Sequence, residues 1–88
     1  MEAGFQRLDK WLWFARLAKS RTLAARLVEE GQVRVNRVKA EKPALTIKPG
    51  DVLTLSLGTQ IRVLRVLNPG TRRGPAAEAS TLYEDVTD

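Results

Sequence analysis

Eighty-eight residues allow one small domain, and the absence of both Cys and His removes disulfides, the commonest metal ligands and the usual nucleophile–base pairs. Fifteen Lys and Arg against ten Asp and Glu give a net charge of +5, and no apolar run approaches the roughly 18 residues of a membrane span. All 15 basic side chains lie in residues 1–73, whose net charge is +9, whereas residues 74–88 carry −4; a soluble, cytoplasmic basic body with an acidic tail lying against it is expected.

Met1 to Gln6 reads as a frayed leader. Leu8, Trp11, Leu12, Ala15 and Ala18 then recur at helical spacing and mark one apolar face, with Asp9 in the first turn and Lys19 just past the last. Ser20 suits the N-cap of a second helix, whose buried stripe is Leu23, Ala24, Leu27 and Val28 and whose stop is Gly31. Helices this short need tertiary partners. From Val33 the period changes to two: Val33 and Val35 form a strand, Asn36-Arg37 a turn, and Val38 begins the return. Ala44 to Ile47 predicts another short strand, and Lys48-Pro49-Gly50-Asp51 a type II turn. Leu53, Leu55 and Leu57 define a strand that turns at Gly58-Thr59 and returns along Ile61 and Val63. The alternation slips at Leu64-Arg65, which leaves room for a bulge. Asn68-Pro69-Gly70 ends the sheet, Thr71 to Pro75 form a connector, and a final helix is predicted over Ala76 to Tyr83 before a frayed acidic end.

The fold class is therefore α+β, two short helices on a small, mainly antiparallel sheet. Residues 1–6 are assigned as a flexible leader, 7–68 as the domain, and 69–88 as a connector with a short C-terminal helix packed on it.

No chemistry-bearing constellation stands out. The acids of the body suggest no convergent pair, and the Lys48 turn lacks the GK[ST] ending of a phosphate loop, so no enzyme, cofactor, metal or small-molecule substrate is expected. A solvated helix face explains any single Lys or Arg; as a set they fall in three places. Arg7 and Lys10 open the first helix, Lys19, Ser20 and Arg21 form the junction, and Arg34, Asn36, Arg37 and Lys39 surround the strand turn. Convergence of these three would build a cationic saddle for a polyanion. Asp9 is expected to orient a neighbouring Arg. Trp13 lies off the apolar stripe; it either stacks on a base or, the favoured reading, covers the body beneath the C-terminal helix near Leu82 or Tyr83.

The residues Arg7-Leu8-Asp9-Lys10, Ser20-Arg21, Ala24, Gly31, Val33, Val35-Asn36 and Val38 resemble the RNA-binding domain named for ribosomal small-subunit protein four, the S-four domain with its αL motif. The stretch Asp9 to Arg16, with Arg72 to Ala79 and Leu82 to Glu84, is similar to the bacterial family of fifteen-kilodalton ribosome-associated heat-shock proteins. That resemblance implies binding to ribosomal RNA on a free large subunit that still carries peptidyl-tRNA, in rescue of stalled translation; a monomer is expected. On the RNA-binding reading Arg7, Lys10, Lys19, Arg21, Arg34, Arg37 and Lys39 are expected to hold phosphates, Ser20 to cap and donate, and Asn36 to shape the turn and contact RNA. The family reads Val-Asn-Gly where this chain has Arg37, which predicts a displaced turn or strain carried by Asn36. Alternatives are the RNA-targeting domain of an RNA-modifying enzyme and a basic protein-interaction module.

Overall fold

The computed structural model describes residues 4–87. In chain order the elements are β1 (Gln6–Arg7), α1 (Leu8–Phe14), α2 (Arg21–Glu29), β2 (Val33–Val35), β3 (Val38–Lys39), β4 (Thr46–Ile47), β5 (Val52–Leu57), β6 (Gln60–Val66), α3 (Ala76–Ala79) and β7 (Tyr83–Asp85). A two-stranded sheet pairs β1 with β4, and a five-stranded antiparallel sheet runs β3-β2-β5-β6-β7. The α+β reading stands.

The core gathers Leu8, Trp11, Leu12, Ala24 and Val28 from the helices with Val33, Leu53, Leu55, Leu64 and Val66 from the sheet, all at 0–1% exposure. Each large aliphatic side chain so buried contributes about 1.5–3 kcal/mol. Trp11 adds a polar anchor, its indole Nε1 donating to the Asn68 carbonyl at 2.8 Å and its ring meeting Tyr83 edge-on at 6.3 Å.

Both main helices end in the same device. At α2 the N–H groups of Gly31 and Gln32 donate to the carbonyls of Val28 and Leu27, with Gly31 at φ 77°, the left-handed C-terminal motif in which Gly is the favoured residue. At α1 Arg16 and Leu17 make the equivalent bonds to Trp13 and Leu12, and Arg16 takes φ 60°. The helix therefore stops at Phe14 rather than continuing to Ala18. Ala15 and Ala18 remain buried, but from the loop. The side chain of Arg16 offsets its backbone strain by donating from Nε to the Gly74 carbonyl at 2.8 Å.

The Asn36-Arg37 turn is not displaced. Val35 pairs with Val38, and both turn residues take positive φ, 51° and 73°, the geometry that matches strand twist in a two-residue hairpin. The Lys48 turn forms as expected, with the Asp51 N–H on the Lys48 carbonyl at 3.1 Å and Gly50 at φ 96°.

Four further expectations change. Gln6 is not part of a frayed leader but pairs with Ile47; residues 1–3 lie outside the described residues. Leu23 is 41% exposed, so only part of the α2 stripe is covered. Pairing of β5 with β6 runs unbroken from Val52–Arg65 to Leu57–Gln60, without a bulge; the core face of β6 is Leu64 and Val66, and Ile61 is 60% exposed. The last helix ends at Ala79, after which Tyr83–Asp85 extends along β6. The acidic tail does lie on the basic body, through Arg65–Glu84 at 2.6 Å, Arg62–Asp85 at 3.0 Å and Arg72–Glu78 at 2.7 Å. These pairs are exposed, so solvent screens them and they add little to stability.

Candidate nucleic-acid interface

The start of α1 has no side-chain cap. Its first N–H groups are instead met by a passing segment, Leu8 donating to the Leu45 carbonyl at 2.8 Å and Asp9 to that of Pro43 at 3.1 Å. Helix ends leave such donors unmet, so this pairing fixes the 43–47 segment against the residues around Arg7. The same segment faces the β2–β3 hairpin across a groove lined by Val38 and Lys39 on one side and Lys42 and Leu45 on the other.

Asp9 organises the cations at this corner. It is 4% exposed, and its carboxylate accepts from Arg7 Nε at 3.1 Å, from Arg7 Nη2 at 3.0 Å and from the Lys10 N–H at 2.7 Å. Arg21 Nη2 lies 3.6 Å away. One buried carboxylate thus holds arginines from two separate segments together while each keeps nearly half of its side chain in solvent, 47% for Arg7 and 43% for Arg21. Ser20 caps α2, its Oγ accepting from the Leu23 N–H at 3.1 Å. The exposed Lys19 and Arg21 flank that cap, so unmet helix N–H groups and two cations face outward together.

Asn36 is occupied within the protein. Its amide donates to Asp51 Oδ1 at 3.1 Å and accepts from the Val52 N–H at 3.0 Å, which ties the hairpin to the Lys48 turn. Lys48 also pairs with Asp51 at 3.1 Å. Burial pushes the Asp51 carboxyl up, but the Asn36 amide and the Lys48 backbone and ammonium outweigh it, and its pKa lies below the usual aspartate value.

The expected site residues are therefore brought together unequally. Arg7 and Arg21 meet on Asp9, which also accepts from the Lys10 N–H; Lys19 and Ser20 adjoin Arg21 in the chain, and Lys39 borders the groove but turns its side chain to Gly31. Arg37 stands at the hairpin tip. Arg34 pairs with Thr54 and points away from the core side that holds Val33 and Val35. No hydrogen bond or ion pair among the described residues joins Arg34 or Arg37 to the Asp9 corner. Lys42 and Lys48, also on the groove, were not among the expected residues; two cations bracketing the predicted Ala44 to Ile47 strand were the available signal.

Trp13 is not free on both faces. The Arg73 guanidinium lies 5.8 Å from its ring centroid and donates from Nε to the Trp13 carbonyl at 3.1 Å, while Phe14 packs at 5.7 Å. The connector covers it; Trp11, not Trp13, is the tryptophan that meets Tyr83.

Comparison with known proteins accords with this architecture. The S4 domain family profile matches residues 6–53, more than half of the chain. Heat shock protein 15 of Escherichia coli K12 is 40% identical over 82 residues, which cover 93% of this chain and 61% of that protein. The chain thus spans under two thirds of that relative's length. The RQC P-site tRNA stabilizing factor of Listeria innocua is 39% identical over 85 residues, 93% of this chain and 91% of that protein. Neither name is that of an enzyme. The trimeric structure of Heat Shock Protein 15 from Vibrio cholerae superposes with a TM-score of 0.87 at 38% identity, covering 93% of this chain and 82% of that one. A trimeric relative does not fit the expectation of a monomer, which is set aside. With the family profile, the identities and the superposition in agreement, the chain belongs to the S4 domain family.

Proposed function

We propose that this chain is a non-catalytic RNA-binding protein that acts in the cytoplasm on ribosomal RNA of the free large subunit, including subunits that retain peptidyl-tRNA, in the rescue of stalled translation or the heat-shock response. The observation that carries the reading is the Asp9 corner, where Arg7 at 3.0 Å and Arg21 at 3.6 Å are held side by side at the capped start of α2. Phosphate oxygens spaced along an RNA strand are the natural partners of two fixed guanidinium groups. Lys10, Lys19, Arg37 and Lys39 extend the contact, and selectivity comes from the shape of the folded RNA rather than from its base sequence. The names of the Escherichia coli and Listeria relatives support the ribosomal setting.

Six neutralised phosphates give a log–log salt slope on the order of −4 to −5. Co-sedimentation with purified large subunits, with and without peptidyl-tRNA, tests the partner. Arg21→Ala is expected to weaken binding to every RNA and to flatten the slope by about one unit. Sedimentation that survives digestion of the RNA would favour a protein-interaction module instead.

A further inference from the structure

The groove between the β2–β3 hairpin and the 41–46 segment is chemically unlike the arginine corner beside it. Its volume is about 610 Å³, and Val35 and Val38 of the hairpin line it together with Leu45. Val38 is 69% exposed and Leu45 40%. Single exposed aliphatic residues are ordinary, but two lining one groove offer a strip on which a flat, weakly hydrated ring can lie. The rim carries cations. Lys48 is matched by Asp51 at 3.1 Å and Lys39, the register partner of Arg34, turns its side chain to Gly31, whereas Lys42 makes no salt bridge among the described residues.

An apolar floor with one unmatched cation, Lys42, on its rim fits one RNA element better than any other. Duplex bases are stacked and present edges, sugars and phosphates but no ring face, so a helix has no flat surface to lay on Val38 and Leu45. An unstacked nucleotide presents a bare ring face and, on either side of it, a phosphate. The groove also continues the arginine corner: Thr46 on its wall is the register partner of Arg7, and the Leu45 carbonyl accepts from the Leu8 N–H. A strand whose phosphates rest on Arg7 and Arg21 reaches the groove without leaving the surface.

We propose that this groove takes a single unpaired nucleotide of the bound RNA, its base laid over Val38 and Leu45 and a flanking phosphate on Lys42. Glu41, also on the lining, is an acceptor without a donor of its own and prefers bases that carry an exocyclic amino group to uracil. The inference rests on the RNA-binding reading above and deepens it.

The test uses the full chain and two hairpin RNAs, one fully paired and one with a single bulged 2-aminopurine in the same stem. Fluorescence anisotropy reads affinity, and 2-aminopurine emission reports the environment of the bulged base. The bulged RNA is expected to bind about tenfold more tightly, the order set by withdrawing one base face from water. Val38→Ser, an exposed position that leaves the core intact, is expected to erase that preference and the emission change while paired-hairpin binding is kept. Replacing the bulge by uridine is expected to reduce the preference, and Glu41→Gln to remove the difference between the two bases. If both hairpins bind alike, or if Val38→Ser leaves the preference unaltered, the groove assignment falls and the RNA-binding reading survives. If neither hairpin binds, both fall.

Discussion

Replacing Asp9 by Asn separates two explanations of RNA binding that predict opposite signs. The substitution conserves volume and one acceptor but sets an amide NH₂ against guanidinium donors. Asp9 now accepts two bonds from Arg7, at 3.1 and 3.0 Å, and one from the Lys10 N–H at 2.7 Å, with Arg21 at 3.6 Å. Bonds to a charged acceptor are worth about 1.5–3 kcal/mol each when desolvated. Here the carboxylate is buried, but both arginines are nearly half exposed, 47% and 43%, so solvent screens much of that. A net loss of about 1–2 kcal/mol follows, and each kcal/mol lowers the melting temperature of a domain this size by about 4–8 °C. The protein stays folded at room temperature. If net charge governs affinity, removing one acid strengthens RNA binding. If fixed geometry governs it, Arg7 and Arg21 regain rotamer freedom that binding must then remove, at about 0.5–1.5 kcal/mol per side chain, and affinity drops by about tenfold. Anisotropy titrations over a range of salt, alongside a thermal melt, make the measurement. A folded Asp9→Asn protein that binds as tightly as the parent, or more tightly, would refute the role given to Asp9.

Three further outcomes follow from particular residues. Arg37→Gly relieves a side chain held at φ 73° and is expected to raise stability by about 0.5–1 kcal/mol in denaturant melts while flattening the salt slope of RNA binding. Gly70 is at φ 75°, and a Cβ there would meet Phe14 at 3.0 Å and Leu82 at 3.3 Å, so Gly70→Ala is expected to cost about 1–3 kcal/mol in the same assay. The Thr87 hydroxyl and N–H, with Arg62, hold the Asp85 carboxyl down to about 2 from its ordinary 3.8. A depressed carboxyl stabilises the fold above its unfolded value and loses that contribution as pH falls through the folded one, so β7 is expected to loosen between about pH 4 and 2. Carboxyl NMR titration of Thr87→Ala should show Asp85 moving part of the way back toward 3.8; an unmoved titration would remove the Thr87 hydroxyl as a cause.

Much of the layout is encoded locally. The change from helical to alternating apolar spacing at Val33, the Ser20 cap, the Gly31 stop and the Lys48 turn all form where the residues placed them, because each acts within a few positions along the chain. What went unread depended on partners far away in sequence. The α1 helix ends at Phe14 because Arg16 enters a left-handed turn braced by the Gly74 carbonyl, 58 residues on. Tyr83–Asp85 is a strand because an edge of β6 lay open to its backbone, and its composition reads equally well as helix or tail. The site divides in the same way. Composition determined that the body is cationic and lacks His and Cys. Only tertiary structure decided that a buried Asp9 would hold Arg7 and Arg21 together, and that the 43–47 segment would cross the start of α1 and open a groove against the hairpin. Charge is a property of residues, whereas a binding surface is a property of the distances between them.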